Sequence, residues 1–154
     1  MVTQSPLEIL RSAPILSTVP DADLLALAQA SRERSYPAGQ VILRQDAPGD
    51  AMYVVIEGRV KVVLIGEDGR EVILSVLGPG AVFGEMALLD DAPRSAHVIA
   101  MTQCHVMTLY RGAFHERLRA SPDLCLAMLA ALSSRLRLAD ERIRALSLLD
   151  VNGR

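Results

Sequence analysis

The 154-residue chain carries 16 Lys and Arg against 18 Asp and Glu, a formal net charge of -2, and is 51% apolar. That length fits one domain with a substantial core, and the charge balance excludes the basic face a nucleic-acid-binding domain presents. The longest apolar run, 124–132, is far too short to span a bilayer, and no charged stretch with an apolar core opens the chain. A cytoplasmic location without membrane contact is therefore expected. Cys104 and Cys125 stand outside any CxxC pair or metal-type cluster and are expected as reduced, half-buried thiols.

After a short N-terminal segment, 21–30 reads as an amphipathic helix: Pro20-Asp21 opens it, and Leu24, Leu25, Leu27 and Ala28 supply its apolar face. From Arg34 to Tyr110 the texture changes to short runs of Val, Ile and Leu between turn signals. Glycines 39, 49, 58, 69 and 80 mark those turns nine to eleven residues apart. Strands are predicted over 41–44, 51–57, 59–65, 71–77, 95–100 and 104–110, with Asp68-Gly69 as a hairpin turn. Such strands without intervening helices imply an antiparallel sandwich or barrel.

The last third turns helical. A short helix is predicted over 113–120, and Ser121-Pro122-Asp123 then opens a long one, with serine as N-cap and proline in the first turn, running to about 149. Leu129, Leu132, Leu136, Ala139, Ile143 and Leu146 repeat at alternating spacings of three and four. This stripe is a seam, either against the chain's own β domain or, as the length of the stripe favours, between two copies in a coiled coil.

Function is concentrated in Phe83-Gly84-Glu85-Met86-Ala87-Leu88-Leu89 and, shortly after, Pro93-Arg94-Ser95-Ala96. A helical turn opening at Met86 offers backbone N–H groups that no helix carbonyl satisfies, and Gly84 admits close approach of the backbone. Arg94 adds a planar, permanently charged fork suited to phosphate oxygens, and Ser95 a hydroxyl donor. Glu85 only accepts, so beside an anion it needs a donor such as a sugar hydroxyl. Together these residues describe a site for a nucleotide with one phosphate and a free ribose hydroxyl.

Gly84-Glu85-Met86-Ala87-Leu88 with Pro93-Arg94-Ser95-Ala96 resembles the phosphate-binding cassette of cyclic nucleotide-binding domains, in particular those of the cyclic AMP receptor protein family of bacterial transcription regulators. The resemblance covers nearly the whole chain, from about Leu10 onward. It implies an eight-stranded double-stranded β-helix jelly roll, mainly β with helical ends, over 1–121. A dimerisation helix over 122–149 and a hinge over 150–154, leading toward a winged helix-turn-helix domain outside this chain, complete the implied organisation. It assigns Arg94 and Ser95 to the cyclic phosphate, Glu85 to the ribose 2'-hydroxyl, and Gly84 with the following amides of Met86 and Ala87 to the pocket lining.

In those relatives a threonine and the residue after it, one of them from the partner subunit, contact the adenine. Ala139 and Asp140 occupy these positions here. Ala139 offers no hydrogen bond. Asp140 offers acceptors, for the exocyclic amine of adenine or for the two adjacent donors of a guanine edge, unless it is a solvated partner of Arg144 one turn on. Arg135, one turn before Ala139, faces a nearby direction and is placed to reach Glu85 or to lie on the surface. The implied protein is a homodimeric sensor of cyclic AMP, alternatively cyclic GMP, that acts on DNA only through a domain outside this chain. A regulatory module of an enzyme, kinase or channel on the same fold is the other reading.

No catalytic or metal-binding role is expected. His97, His105 and His115 form no ligand spacing, and no cysteine precedes Cys104 to hold an iron–sulfur cluster. His115-Glu116-Arg117-Leu118-Arg119 lacks the second histidine of a zinc-protease helix. Gly78-Pro79-Gly80 misses dinucleotide-fingerprint spacing, and nucleophile-elbow and Walker motifs do not occur.

Overall fold

Residues 51–57 and 104–110 are apolar at nearly every position, which is the pattern of strands covered on both faces. The computed structural model describes residues 4–152 and shows how that covering is achieved. In chain order it contains α1 (Pro6–Arg11), a 3-10 turn (Pro14–Leu16), α2 (Asp21–Ala30), β1 (Arg32–Tyr36), β2 (Val41–Leu43), β3 (Ala51–Glu57) and β4 (Val60–Ile65). There follow β5 (Glu71–Leu77), β6 (Val82–Phe83), a second 3-10 turn (Glu85–Leu88), β7 (His97–Ala100), β8 (Cys104–Tyr110), α3 (Arg111–Ala120) and α4 (Pro122–Asn152).

The strands form two four-stranded antiparallel sheets, ordered β1-β8-β3-β6 and β2-β7-β4-β5. Alternate residues of the central pair β3 and β8 point to opposite sides. Tyr53, Val55 and Val106 face the other sheet and pack with Val60, Val98 and Ala100. Met52, Val54, Met107 and Leu109 face outward into a second cluster with Leu10, Leu16, Leu24, Phe114 and Leu124 from the helices. One sheet is thus shared by two cores, and the helical ends are part of the fold rather than appendages. The result is the mainly antiparallel jelly roll expected, eight strands among the described residues, with a long C-terminal helix.

The differences from the expected elements have local causes. No element is predicted before residue 21, yet α1 and the following turn bury Ile9, Leu10, Ile15 and Leu16. Ser5 and Glu8 form a reciprocal capping box there, Glu8 N to Ser5 Oγ at 3.2 Å and Ser5 N to Glu8 Oε2 at 3.4 Å. The edge strand β1 escapes pattern reading because Arg32 to Ser35 are exposed and polar; pairing with β8 alone extends them. Two-residue β6 is too short to carry a pattern. Residues 95 and 96 do not join β7, because Arg94 is tied by its backbone to the 46–47 turn: Asp46 N to Arg94 O is 2.7 Å and Arg94 N to Ala47 O is 2.9 Å. The predicted hairpin turn does form, with Gly69 at φ +80° and Asp68 Oδ1 accepting from Arg70 N at 3.0 Å.

α4 continues to Asn152, so the first three residues of the expected hinge are helical, while Gly153 and Arg154 lie outside the described residues. Its start is fixed by Ser121, whose Oγ accepts from Leu124 N at 3.2 Å and donates to the buried Asp23 at 2.8 Å. Leu124 and Met128 pack into the core, with Ala127 and Ala131 beside them. The predicted seam lies elsewhere on the helix: Leu129, Leu136, Ile143 and Leu146 are each more than 60% exposed. Leu132 is half-buried, but most of that stripe is not packed against the chain's own β domain.

Candidate functional site

Between the two motif blocks lies a cavity of about 390 Å³, within the size range of small-molecule sites. Gly84, Glu85, Met86, Ala87, Arg94 and Ser95 all line it, with Leu43, Val62, Phe83 and Val98 forming its apolar side. Gly84 ends β6 and opens the Glu85–Leu88 turn at φ +74°, a left-handed conformation that favours glycine. A Cβ at Gly84 would lie 2.7 Å from Arg94 Nη1 and 3.1 Å from Ala51 O. Gly49 is equally constrained, since a Cβ there would lie 2.8 Å from Arg94 Nε.

The space those glycines leave is filled by the guanidinium of Arg94, which is only 9% exposed. Nη1 donates to Gly84 O at 3.1 Å and Nη2 to Ala51 O at 2.8 Å. The guanidinium carbon also lies 6.0 Å from the centroid of the Tyr53 ring, which stacks on Phe83 at 4.9 Å. Among the described residues no carboxylate pairs with Arg94, and its buried Nε has no partner. A buried charge without a counter-ion is costly, and an orphaned donor adds to that cost. An anion entering the cavity would offset both. Burial pushes the Tyr53 hydroxyl up to about 12, with nearby Tyr36 adding to the shift and Arg94 opposing it.

Glu85 is half-buried at the cavity's edge, its carboxylate 3.5 Å from Arg135 Nη2. Arg135 thus meets the cassette from α4, although it borders a neighbouring cavity rather than the one holding Arg94. Ala139 and Asp140 are exposed on α4 and line neither cavity. Asp140 pairs with Arg144 at 2.9 Å. Within one chain the structure therefore assembles Gly84, Glu85, Met86, Ala87, Arg94 and Ser95, places Arg135 at their margin, and leaves Ala139 and Asp140 apart. Sequence reading missed Gly49, seen only as a turn residue, and Tyr53, hidden in an apolar run. Their contribution comes from contact with Arg94 across 45 and 41 positions of the chain.

A jelly roll that buries a charged fork beside a carboxylate and an apolar wall defines the class of small-effector-binding β domains. Comparison with known proteins places the chain within that class. The family model for the cyclic nucleotide-binding domain matches residues 33–121. A CRP-like cAMP-activated global transcriptional regulator of Mycobacterium tuberculosis is 31% identical over 147 residues, 96% of this chain and 66% of the relative. The chain thus spans just under two thirds of that curated relative's length.

Among solved structures, the N-terminal domain of a transcriptional regulator from Streptomyces coelicolor superposes with a TM-score of 0.80. It is 32% identical, with 88% of this chain and 94% of that one covered. The regulatory domain of Toxoplasma gondii PKA with cAMP gives a TM-score of 0.71 at 27% identity, covering 95% of this chain and 52% of that one. This chain belongs to the cyclic nucleotide-binding domain family, and it is homologous to the CRP-like cAMP-activated transcription regulators.

Proposed function

We propose that this chain is the effector-sensing and dimerisation part of a cytoplasmic transcription regulator, that its effector is cyclic AMP, and that DNA is contacted only through a domain outside the sequence. The observation that carries the reading is Arg94, a buried guanidinium with an unpartnered Nε in a cavity of nucleotide size. In this reading Arg94 and Ser95 hold the cyclic phosphate, the Gly84, Met86 and Ala87 backbone lines it, and Glu85 accepts the ribose 2'-hydroxyl. Arg135 links Glu85 to α4, so a ligand that engages Glu85 competes with that ion pair. Occupancy shifts the position of α4 only as far as the ligand's affinity differs between its two positions.

The exposed Leu129, Leu136, Ile143 and Leu146 stripe supports pairing of two α4 helices, with 122–149 as the dimerisation segment and the residues from 150 leading toward the next domain. Such pairing would bring a partner's Asp140 beside the base. A carboxylate there suits the two adjacent donors of guanine as well as the amine of adenine, which keeps cyclic GMP as the second reading. The likeness to a PKA regulatory domain supports, as a further alternative, a regulatory module of a kinase, enzyme or channel. Isothermal calorimetry with cyclic AMP, cyclic GMP and cyclic di-GMP tests the assignment. Saturable 1:1 binding of cyclic AMP per chain, tighter than the other two, is expected; binding of none of them would refute it.

A further inference from the structure

α3 begins where β8 ends, and its first two turns face the back of the candidate pocket. Arg111 N donates to Asp50 O at 2.7 Å. Arg111 Nη1 donates to Gly49 O at 2.9 Å and Asp90 O at 2.8 Å, and approaches Ala87 O at 3.4 Å. One turn on, His115 Nε2 donates to Leu88 O at 2.9 Å. The carbonyls so held belong to the two loops that form the pocket. Gly49 backs Arg94 Nε, while Ala87 and Leu88 end the turn that Gly84 opens. None of these contacts is made by a residue lining the cavity that holds Arg94, apart from the carbonyl owners Ala87 and Asp90.

The far end of α3 is held as firmly. Arg117 Nε donates to Asp23 Oδ1 at 2.6 Å, and the other oxygen of the same carboxylate accepts from Ser121, the cap of α4. One ten-residue helix therefore grips the pocket loops at its start and the root of α4 at its end.

We infer that Arg111 and His115 are positioning residues of the binding site, which lock the 47–50 loop and the 85–90 turn to α3 and thereby connect the pocket to the start of α4. A charged donor shared by two loop carbonyls is the strong kind of hydrogen bond, and its loss frees both loops at once. Methionine at 111 keeps the side-chain length without a donor. Lysine keeps the charge and three donors on one nitrogen, and Arg111 already uses a single nitrogen for all its side-chain contacts.

Amide hydrogen exchange on the ligand-free full chain tests the inference without any assumption about the ligand. In Arg111→Met, exchange rises about tenfold or more across 47–50 and 85–90, stays at the wild-type level in β3 and β8, and returns most of the way in Arg111→Lys. Calorimetry with cyclic AMP, which rests on the proposed function, then shows affinity about tenfold weaker in Arg111→Met and within about threefold of wild type in Arg111→Lys. Unchanged exchange at both loops, or a rise spread evenly over the sandwich, overturns the positioning role. If Arg111→Met does not fold, His115→Ala is measured instead, and unchanged exchange at 85–90 overturns the role equally. Failure of the wild type to bind cyclic AMP refutes the proposed ligand, while the exchange comparison still decides the role of Arg111.

Discussion

Replacing Arg94 with methionine separates the energetics of the empty and filled pocket. In the empty protein the guanidinium contributes two hydrogen bonds, to Gly84 O and Ala51 O. Hydrogen bonds to a charged group contribute about 1.5–3 kcal/mol each, but this charge is buried without a counter-ion and its Nε is unpartnered, which costs several kcal/mol. The terms oppose one another, so Arg94→Met is expected to change the ligand-free stability by no more than ~2 kcal/mol in urea unfolding. With a nucleotide bound as proposed the balance differs, because the phosphate would then lose the one buried cation among the described residues. Truncating one partner of a buried charge pair costs about 2–5 kcal/mol, equivalent to about 30- to 5,000-fold in affinity. Calorimetry with cyclic AMP on the folded variant is the assay. A dissociation constant within about threefold of wild type would show that Arg94 does not hold the phosphate.

Three other outcomes follow from the same structure. A 2'-deoxy analogue of cyclic AMP should bind about tenfold or more weakly, since Glu85 then loses its donor; equal affinity would exclude Glu85 from the ribose. The Tyr53 hydroxyl titrates near 10 when unfolded and is pushed up to about 12 when folded, so the unfolded chain loses that proton first. The resulting stability is fully present below pH ~10 and is lost as pH rises toward ~12, up to about 2–3 kcal/mol in all. Urea unfolding of Tyr53→Phe between those pH values should lack this decline, and an identical decline would assign it to other groups. Light scattering at micromolar concentration should show a dimer that Leu136→Glu with Ile143→Glu converts to a monomer. A monomeric wild type would remove α4 as the pairing element.

The organisation of the fold was largely readable because it rests on local signals. Evenly spaced glycine turns between apolar runs mark an antiparallel β domain, and Ser121-Pro122 marks the start of the long helix. Elements whose formation depends on partners were not readable: the polar edge strand β1 is extended only because β8 pairs with it, and β6 is too short to have a period. The seam along α4 was visible as a repeat, but its solvent exposure along one chain is a tertiary fact.

The site divides in the same way. Gly84, Glu85, Arg94 and Ser95 could be picked out from the sequence because their chemistry is compressed into twelve consecutive residues and each side chain has one obvious use toward a phosphate ester. What sequence could not specify is the state in which that chemistry is held. Burial of Arg94 without a counter-ion, Gly49 and Tyr53 fitted around it, and the grip of Arg111 and His115 on the pocket loops all arise between residues distant in the chain. Hydrogen bonding to backbone carbonyls leaves no side-chain signature, since any residue supplies a carbonyl. The sequence determined which ligand chemistry is possible; packing of α3 and β3 against the cassette decided how the groups are positioned for it.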